Sequence, residues 1–249
     1  MCIIFYAYNH KSTAQHLSTF VSFSQSISEK GLYGGVGFAW LRNASRKWGR
    51  LRRLKLYNNL DSFPYEIVDN DLVIGHIRAL HQNSANESIE NVHPFYYKNQ
   101  VFLHNGDITD FAPTLVGIDK ELKPRVEGKT DSEYIFYLFL TIKKKLDARE
   151  ICASEEDKLA DTVDLLFQYL RARRKPFRAN IVYANKSYSI ITRYAYLNRA
   201  KLLYLNGETK RDKLLISSLP VMNSHTLIPP QTLIIVNHSK NTYKIKKLK

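Results

Sequence analysis

Two groupings in this 249-residue chain carry side chains able to do chemistry. The first is Cys2, in the opening "MCIIFYAY". The small residue behind Met1 permits removal of that methionine, and the thiol then shares its residue with a free α-amine. Such an amine titrates near about 7.7–8.0 and a cysteine thiol near about 8.5, so at neutral pH the amine can take the thiol proton with little mismatch. Nucleophile and base then come from one residue, and no separate histidine is needed. Taken alone, a cysteine here is more simply a small buried apolar side chain. The second grouping is "VFLHNGDITDF" (101–111), where His, Asn and Gly follow an apolar run. Asn-Gly in that setting signals a type I′ hairpin turn, and the residues alone do not say whether the turn has a further task.

Other chemistry-bearing stretches are weaker. "GLYGGVG" lacks the lysine of a phosphate-binding loop and precedes a strand where a dinucleotide loop opens a helix, so no nucleotide cofactor is expected. His76, His93 and His104 fall on predicted strands and loops, as does His81, without a helical two-histidine pair or a carboxylate at ligand spacing, so no metal is expected. The formal charge of +14 comes largely from "RNASRKWGRLRRLK" (42–55), "RARRKPFR" (171–178) and the tail "KIKKLK" (244–249). Such charge can steer a protein toward nucleic acid, but none of the three carries a nucleic-acid motif, and a solvated basic face or charged tail explains them as well.

Five stretches taken together resemble the class II glutamine amidotransferases, whose catalytic domain is of the amino-terminal nucleophile type. They are Cys2, "GHIRA" (75–79), "NVHPF" (91–95), "FLHNGDI" (102–108) and "GKTDSE" (128–133), in the family's order and at similar separations. "GGVGFAWL" and the later "LLISSLPVMNSHTLIPPQTLIIV" are similar to the stand-alone branch that includes the glutathione-degrading and ergothioneine-pathway amidohydrolases. The resemblance implies that Cys2 attacks the γ-amide of glutamine or of a γ-glutamyl compound to give a thioester. It implies that the Asn105 side-chain amide and the Gly106 N–H hold the developing oxyanion. It also implies that Arg78 forks onto the substrate α-carboxylate and that Asp131 takes the α-ammonium. Three positions depart from the branch pattern: His81 stands near a threonine's place, Gly34 where aspartate is common, and His225 near an expected tryptophan. They bear on the shape of the pocket.

The elements that must position these residues can be read from periodicity. "CIIFYAY" is a buried strand, "GLYGGVGFAWL" a glycine-rich turn feeding a strand, and "DNDLVIGHIRAL" and "NQVFLHNGDI" further strands, the last ending at the Asn-Gly corner. Thr130 or Asp131 caps a helix whose apolar face runs through Ile135, Leu138, Phe139 and Ile142, and Ser154 caps a second, with acids in its first turn and arginines in its last. After Pro176 the pattern returns to strands. Strands, two helices, then strands predict one α+β domain over residues 2–249. The resemblance refines that to a four-layer αββα sandwich.

Composition sets the outer limits. A hydrophobic content of 44% suits a packed core. The longest apolar run, Tyr134–Ile142, is about half the length of a membrane-spanning helix. Two cysteines, Cys2 and Cys152, fit a reducing compartment, so a cytoplasmic protein is expected. A chain of this length leaves little room for an attached synthase domain, so it either hydrolyses its γ-glutamyl substrate alone or serves a separate synthase or peptidase subunit; its oligomeric state stays open. The competing reading is a catalytically degenerate or regulatory subunit, or one that binds nucleic acid or an acidic partner through its basic face.

Overall fold

The computed structural model describes residues 2–9, 13–29, 32–42, 46–54, 65–67, 70–81, 88–149, 154–206 and 213–248. Met1, Cys152 and the side chain of His81 lie outside the described residues. In chain order the elements are β1 (Ile3–Tyr8), α1 (Thr13–Glu29), β2 (Leu32–Leu41), β3 (Trp48–Arg53), β4 (Leu72–His81), β5 (Phe95–Tyr97) and β6 (Gln100–Ile108), then α2 (Asp131–Asp147) and α3 (Glu155–Ala172). They continue as β7 (Phe177–Ala184), β8 (Tyr188–Tyr196), β9 (Tyr204–Asn206), β10 (Leu214–Ser217), β11 (His225–Leu227), β12 (Thr232–Asn237) and β13 (Thr242–Lys247). The strands form a seven-stranded sheet, β11-β9-β10-β1-β4-β2-β3, and a six-stranded sheet, β13-β12-β8-β7-β6-β5. Contacts group the chain into two units, Met1–Leu103 with Leu202–Ile228, and His104–Lys201 with Pro229–Lys249. The α+β class expected from the sequence is the class observed.

The first unit is built on β1, the middle strand of the seven, paired antiparallel to β4 and β10. Alternation along a strand sends successive side chains to opposite faces. Ile3, Phe5 and Ala7 accordingly join Leu17 and Phe20 of α1 in one buried cluster, with Phe20 against the rings of Phe5 and Phe38 at 5.6 and 5.9 Å. The periodic reading did not foresee α1, because its serines and threonines are poor helix formers. Ser18, Ser22 and Ser26 turn their hydroxyls back onto carbonyls of the preceding turn (Gln15 O, Ser18 O and Phe23 O at 2.5, 3.0 and 3.0 Å), so the hydroxyls do not break the helix. The glycine-rich turn expected at the start of β2 is instead strand. A Cβ on Gly34 would lie 1.6 Å from the Arg78 carbonyl oxygen, so the glycine serves close backbone approach inside the sheet.

In the second unit the two helix starts follow their sequence signals. Thr130 Oγ1 accepts from Glu133 N at 3.4 Å and Ser154 Oγ from Asp157 N at 3.1 Å, each satisfying an N–H that a helix leaves over. The apolar face of α2 sets Phe139 4.8 Å from the Tyr183 ring on β7, and α3 stacks Phe167 on Tyr194 of β8 at 4.1 Å. Residues 244–247 of the lysine tail read from composition lie in strand β13, which is paired along its length with β12. Its lysines line the edge of the sheet, a placement that discourages pairing with another chain.

Candidate active site

Cys2 stands directly before β1 and is half-buried. In the β1–β4 register Ile3 faces Ile77 and Ile4 faces His76, so continuing it by one residue sets Cys2 opposite Arg78. Residues directly opposite in an antiparallel pair share a face. Ile3 and Ile77 belong to the cluster under α1, which leaves Cys2, Ile4, His76 and Arg78 on the other face. Arg78 is only 7% exposed, and its partner on β2 is Gly35, which brings no side chain beside it. The His76 and His93 rings, from "GHIRA" and "NVHPF", pack 4.3 Å apart within the same unit.

In the second unit the His-Asn-Gly residues are strand, where the sequence predicts a hairpin turn: β6 runs on to Ile108. The physical reason lies in the approach of Arg178 on β7. A Cβ at position 106 would sit 1.9 Å from the Arg178 carbonyl oxygen and 2.3 Å from His104 Nε2, a space only glycine leaves. His104 Nε2 faces that same carbonyl at 3.1 Å and therefore carries the ring proton, while Nδ1, 2.9 Å from Ser132 Oγ, accepts from the hydroxyl. Burial pushes the imidazole below its ordinary range, outweighing the upward pulls of Asp131 and of the Arg178 carbonyl, so the ring is neutral at pH 7.

Asn105 is 2% exposed and its Oδ1 accepts from Lys201 Nζ at 3.2 Å. Asp107 pairs with Arg178, whose Nε donates to Oδ1 at 2.6 Å. Asp131, the first residue of α2, is tied to the end of β6: Ile108 N donates to its Oδ2 at 2.8 Å and Ser132 N to its Oδ1 at 2.8 Å. Of the roughly four lone-pair positions on a carboxylate, these two bonds leave about two. Glu133 fastens the preceding loop by accepting from Glu127 N and Gly128 N at 3.0 and 2.6 Å. "GKTDSE" is thus a locked loop-to-helix joint that delivers Asp131 to the strand carrying Asn105 and Gly106.

The family model for class II glutamine amidotransferases matches residues 60–193, more than half of the 249. The chain belongs to that family. The matched stretch contains Arg78, Asn105, Gly106 and Asp131. The probable glutamine amidotransferase DUG3 of Saccharomyces cerevisiae is 39% identical over 85 residues, which cover 32% of this chain and 23% of that protein. The match therefore spans less than a quarter of the yeast relative's length. The fold is shared by solved structures, among them the following two. A glutamine aminotransferase class-II domain protein from Silicibacter pomeroyi is 20% identical, with 87% of this chain and 96% of that one covered and a TM-score of 0.59. The glutamine phosphoribosylpyrophosphate amidotransferase from B. subtilis is 15% identical, with 100% of this chain and 49% of that one covered and a TM-score of 0.63.

Within this amidotransferase fold the departures from the branch pattern have distinct settings. Gly34 cannot be replaced by aspartate without moving the Arg78 backbone. His225 is exposed on the edge strand β11, with Nδ1 3.1 Å from Met222 O and its ring edge-on to Tyr204. His81 ends β4. Several basic residues are held by acids of their own unit: Lys175 by Asp110 at 3.6 Å, Arg178 by Asp107, Lys244 by Glu156 at 2.8 Å and Lys246 by Asp157 at 3.8 Å. Among the described residues no group of three or more His, Cys, Asp or Glu is arranged to hold a metal, and no helix is long and apolar enough to cross a membrane. Sequence reasoning missed Lys201, Ser132 and Arg178. Their contacts with Asn105 and His104 span 96, 28 and 74 residues of chain, and no local pattern announces them.

Proposed function

We propose that this chain hydrolyses the γ-amide of glutamine or of a γ-glutamyl compound, using Cys2 as nucleophile after removal of Met1. The thiol gives its proton to the α-amine and its sulfur attacks the amide carbon. The tetrahedral oxyanion is held by the Asn105 side-chain amide and the Gly106 N–H. Collapse expels ammonia or an amine, which leaves with the proton held by the α-amine, and water then cleaves the thioester to free the γ-carboxylate and the thiol. Arg78 binds the substrate α-carboxylate through two parallel N–H groups, and Asp131 takes the α-ammonium with a lone pair its backbone bonds leave over. The whole of residues 2–249 acts as one cytoplasmic catalytic domain, and a separate synthase or peptidase subunit is the natural user of the released product.

The observation that carries this reading is the β1–β4 register, which continued by one residue brings a thiol-bearing residue opposite an arginine on one face of the sheet. A nucleophile and a carboxylate-binding guanidinium there suit an amino-acid substrate. Protein shown by intact mass to have lost Met1 should form glutamate from glutamine or a γ-glutamyl amide, and a glutamine-mimicking electrophile should label Cys2. Cys2→Ala should do neither. Equal turnover by Cys2→Ala would remove Cys2 from the mechanism, and an inert, unlabelled wild type would leave a non-catalytic subunit as the reading.

A further inference from the structure

Lys201 stands outside every motif singled out in the sequence, yet its ammonium lies 3.2 Å from Asn105 Oδ1. An ammonium group has three donors and no acceptor, so it can meet only the oxygen end of a side-chain amide. Asn105 is 2% exposed and therefore cannot rely on bulk water to choose its orientation. Once Oδ1 is turned to Lys201, the amide nitrogen must point along the other branch of the planar group. The segment bearing the lysine is itself clamped. Arg193 Nε donates to the Lys201 carbonyl at 2.8 Å, an Arg193 terminal nitrogen donates to Ala200 O at 3.4 Å, and Asn180 Nδ2 donates to the Lys201 carbonyl at 3.3 Å. Both clamping side chains are buried, Asn180 at 0% and Arg193 at 6% exposure. Two polar side chains buried to hold one backbone carbonyl mark a position that must not wander.

We propose that Lys201 is a positioning residue for Asn105: its ammonium fixes the amide so that the N–H₂ end, and never the carbonyl end, is presented to the reacting carbonyl. A flipped asparagine would set an oxygen against the oxyanion, replacing attraction by repulsion. The ammonium charge beside Oδ1 also polarises the amide and makes its N–H groups better donors. The inference rests on the reading of Asn105 as an oxyanion donor, and the tests below separate the two.

Steady-state kinetics on glutamine, or on the γ-glutamyl amide turned over best, should be measured for wild type, Lys201→Met, Lys201→Arg, Asn105→Ala and the Lys201→Met/Asn105→Ala double variant. Loss of an oxyanion donor lowers kcat about 10²–10³-fold, so Asn105→Ala should fall in that range and Lys201→Met at about 10–100-fold, with KM changed less than about threefold. Lys201→Arg should recover most of the loss. The double variant should be no slower than Asn105→Ala, because a residue acting through Asn105 has nothing left to position. Wild-type kcat in Lys201→Met, or losses that multiply in the double variant, would overturn the proposal. The orientation has its own readout. The side-chain amide resonances of Asn105, identified by their disappearance in Asn105→Ala, should shift in Lys201→Met and stay in place in Lys144→Met. Unmoved resonances refute the positioning even if the enzyme is active. Resonances that shift in Lys201→Met while the wild type hydrolyses no amide support the positioning and refute the oxyanion reading. Where Lys201→Met fails to fold, Lys201→Gln keeps a donor without the charge and carries the same comparison.

Discussion

Gly106→Ala is the sharpest perturbation of the site strand. The added Cβ would lie 1.9 Å from the Arg178 carbonyl oxygen, and reaching an ordinary contact of 3.4 Å requires about 1.5 Å of movement between β6 and β7. Neither side yields cheaply, since Arg178 is tied to Asp107 and its carbonyl receives His104 Nε2. Forcing a methyl into a packed interior costs about 1–3 kcal/mol. Pulling the carbonyl off the buried imidazole adds about 1–3 kcal/mol for the partner left unsatisfied. The sum, about 2–6 kcal/mol, is a large share of the roughly 5–15 kcal/mol that holds a typical domain together. Urea unfolding followed by circular dichroism should show the midpoint falling by about 1 M or more, given slopes of roughly 1–3 kcal/mol per molar. In whatever fraction remains folded, the backbone N–H at 106 is displaced, and misplacement by about 1 Å is enough to lower kcat about 10²-fold. A variant with wild-type midpoint would refute the close approach of β7 as the reason for glycine. One with wild-type midpoint and full turnover would also remove the Gly106 N–H from the mechanism.

The remaining expectations concern a titration and a core contact. His104 has its folded-state pKa lowered by burial, so between that value and the unfolded value near about 6.5 the unfolded chain binds more protons and stability falls as pH drops. Wild type should therefore lose up to about 1.4 kcal/mol per pH unit from this group below about pH 6.5. His104→Gln should lack that component, so its deficit in urea midpoint should shrink from pH 7.5 to pH 5.5; a constant deficit contradicts the buried neutral ring. Phe20→Ala should destabilise by about 3–5 kcal/mol through the cavity left between Phe5 and Phe38. A loss below about 1 kcal/mol would mean that α1 is not held to the sheet by this ring.

Local chemistry made much of the fold and part of the site legible. Thr130 and Ser154 open their helices because a hydroxyl one position ahead of a periodic apolar run can satisfy a free N–H, a property of a few neighbouring residues. Strands β1, β2, β4, β6 to β10 and β12 announce themselves through runs of branched and aromatic side chains, whereas β3, β5 and β11 are too polar or too short to do so. The residues assigned to chemistry were read through likeness of five short stretches to a family, and the family is the one the chain belongs to. Helix α1 escaped because its Ser-rich sequence has low helical propensity, and burial of Leu17 and Phe20 on the sheet, a tertiary term, overrides that local preference.

The glycines show the division most plainly. Gly34 and Gly106 read locally as turn residues, because sequence registers only that a Cβ is missing and the commonest local use of that absence is a turn. Tertiary structure decided the use: at both positions another strand's carbonyl oxygen occupies the space where a Cβ would stand. The same holds for residues 244–247, whose charge reads as part of a tail until pairing with β12 makes them a sheet edge. Lys201 is the extreme case. Sequence determined that a lysine stands there, but only the chain's return brings it to an asparagine 96 residues earlier, because hydrogen bonding selects partners by distance in space and not by distance along the chain.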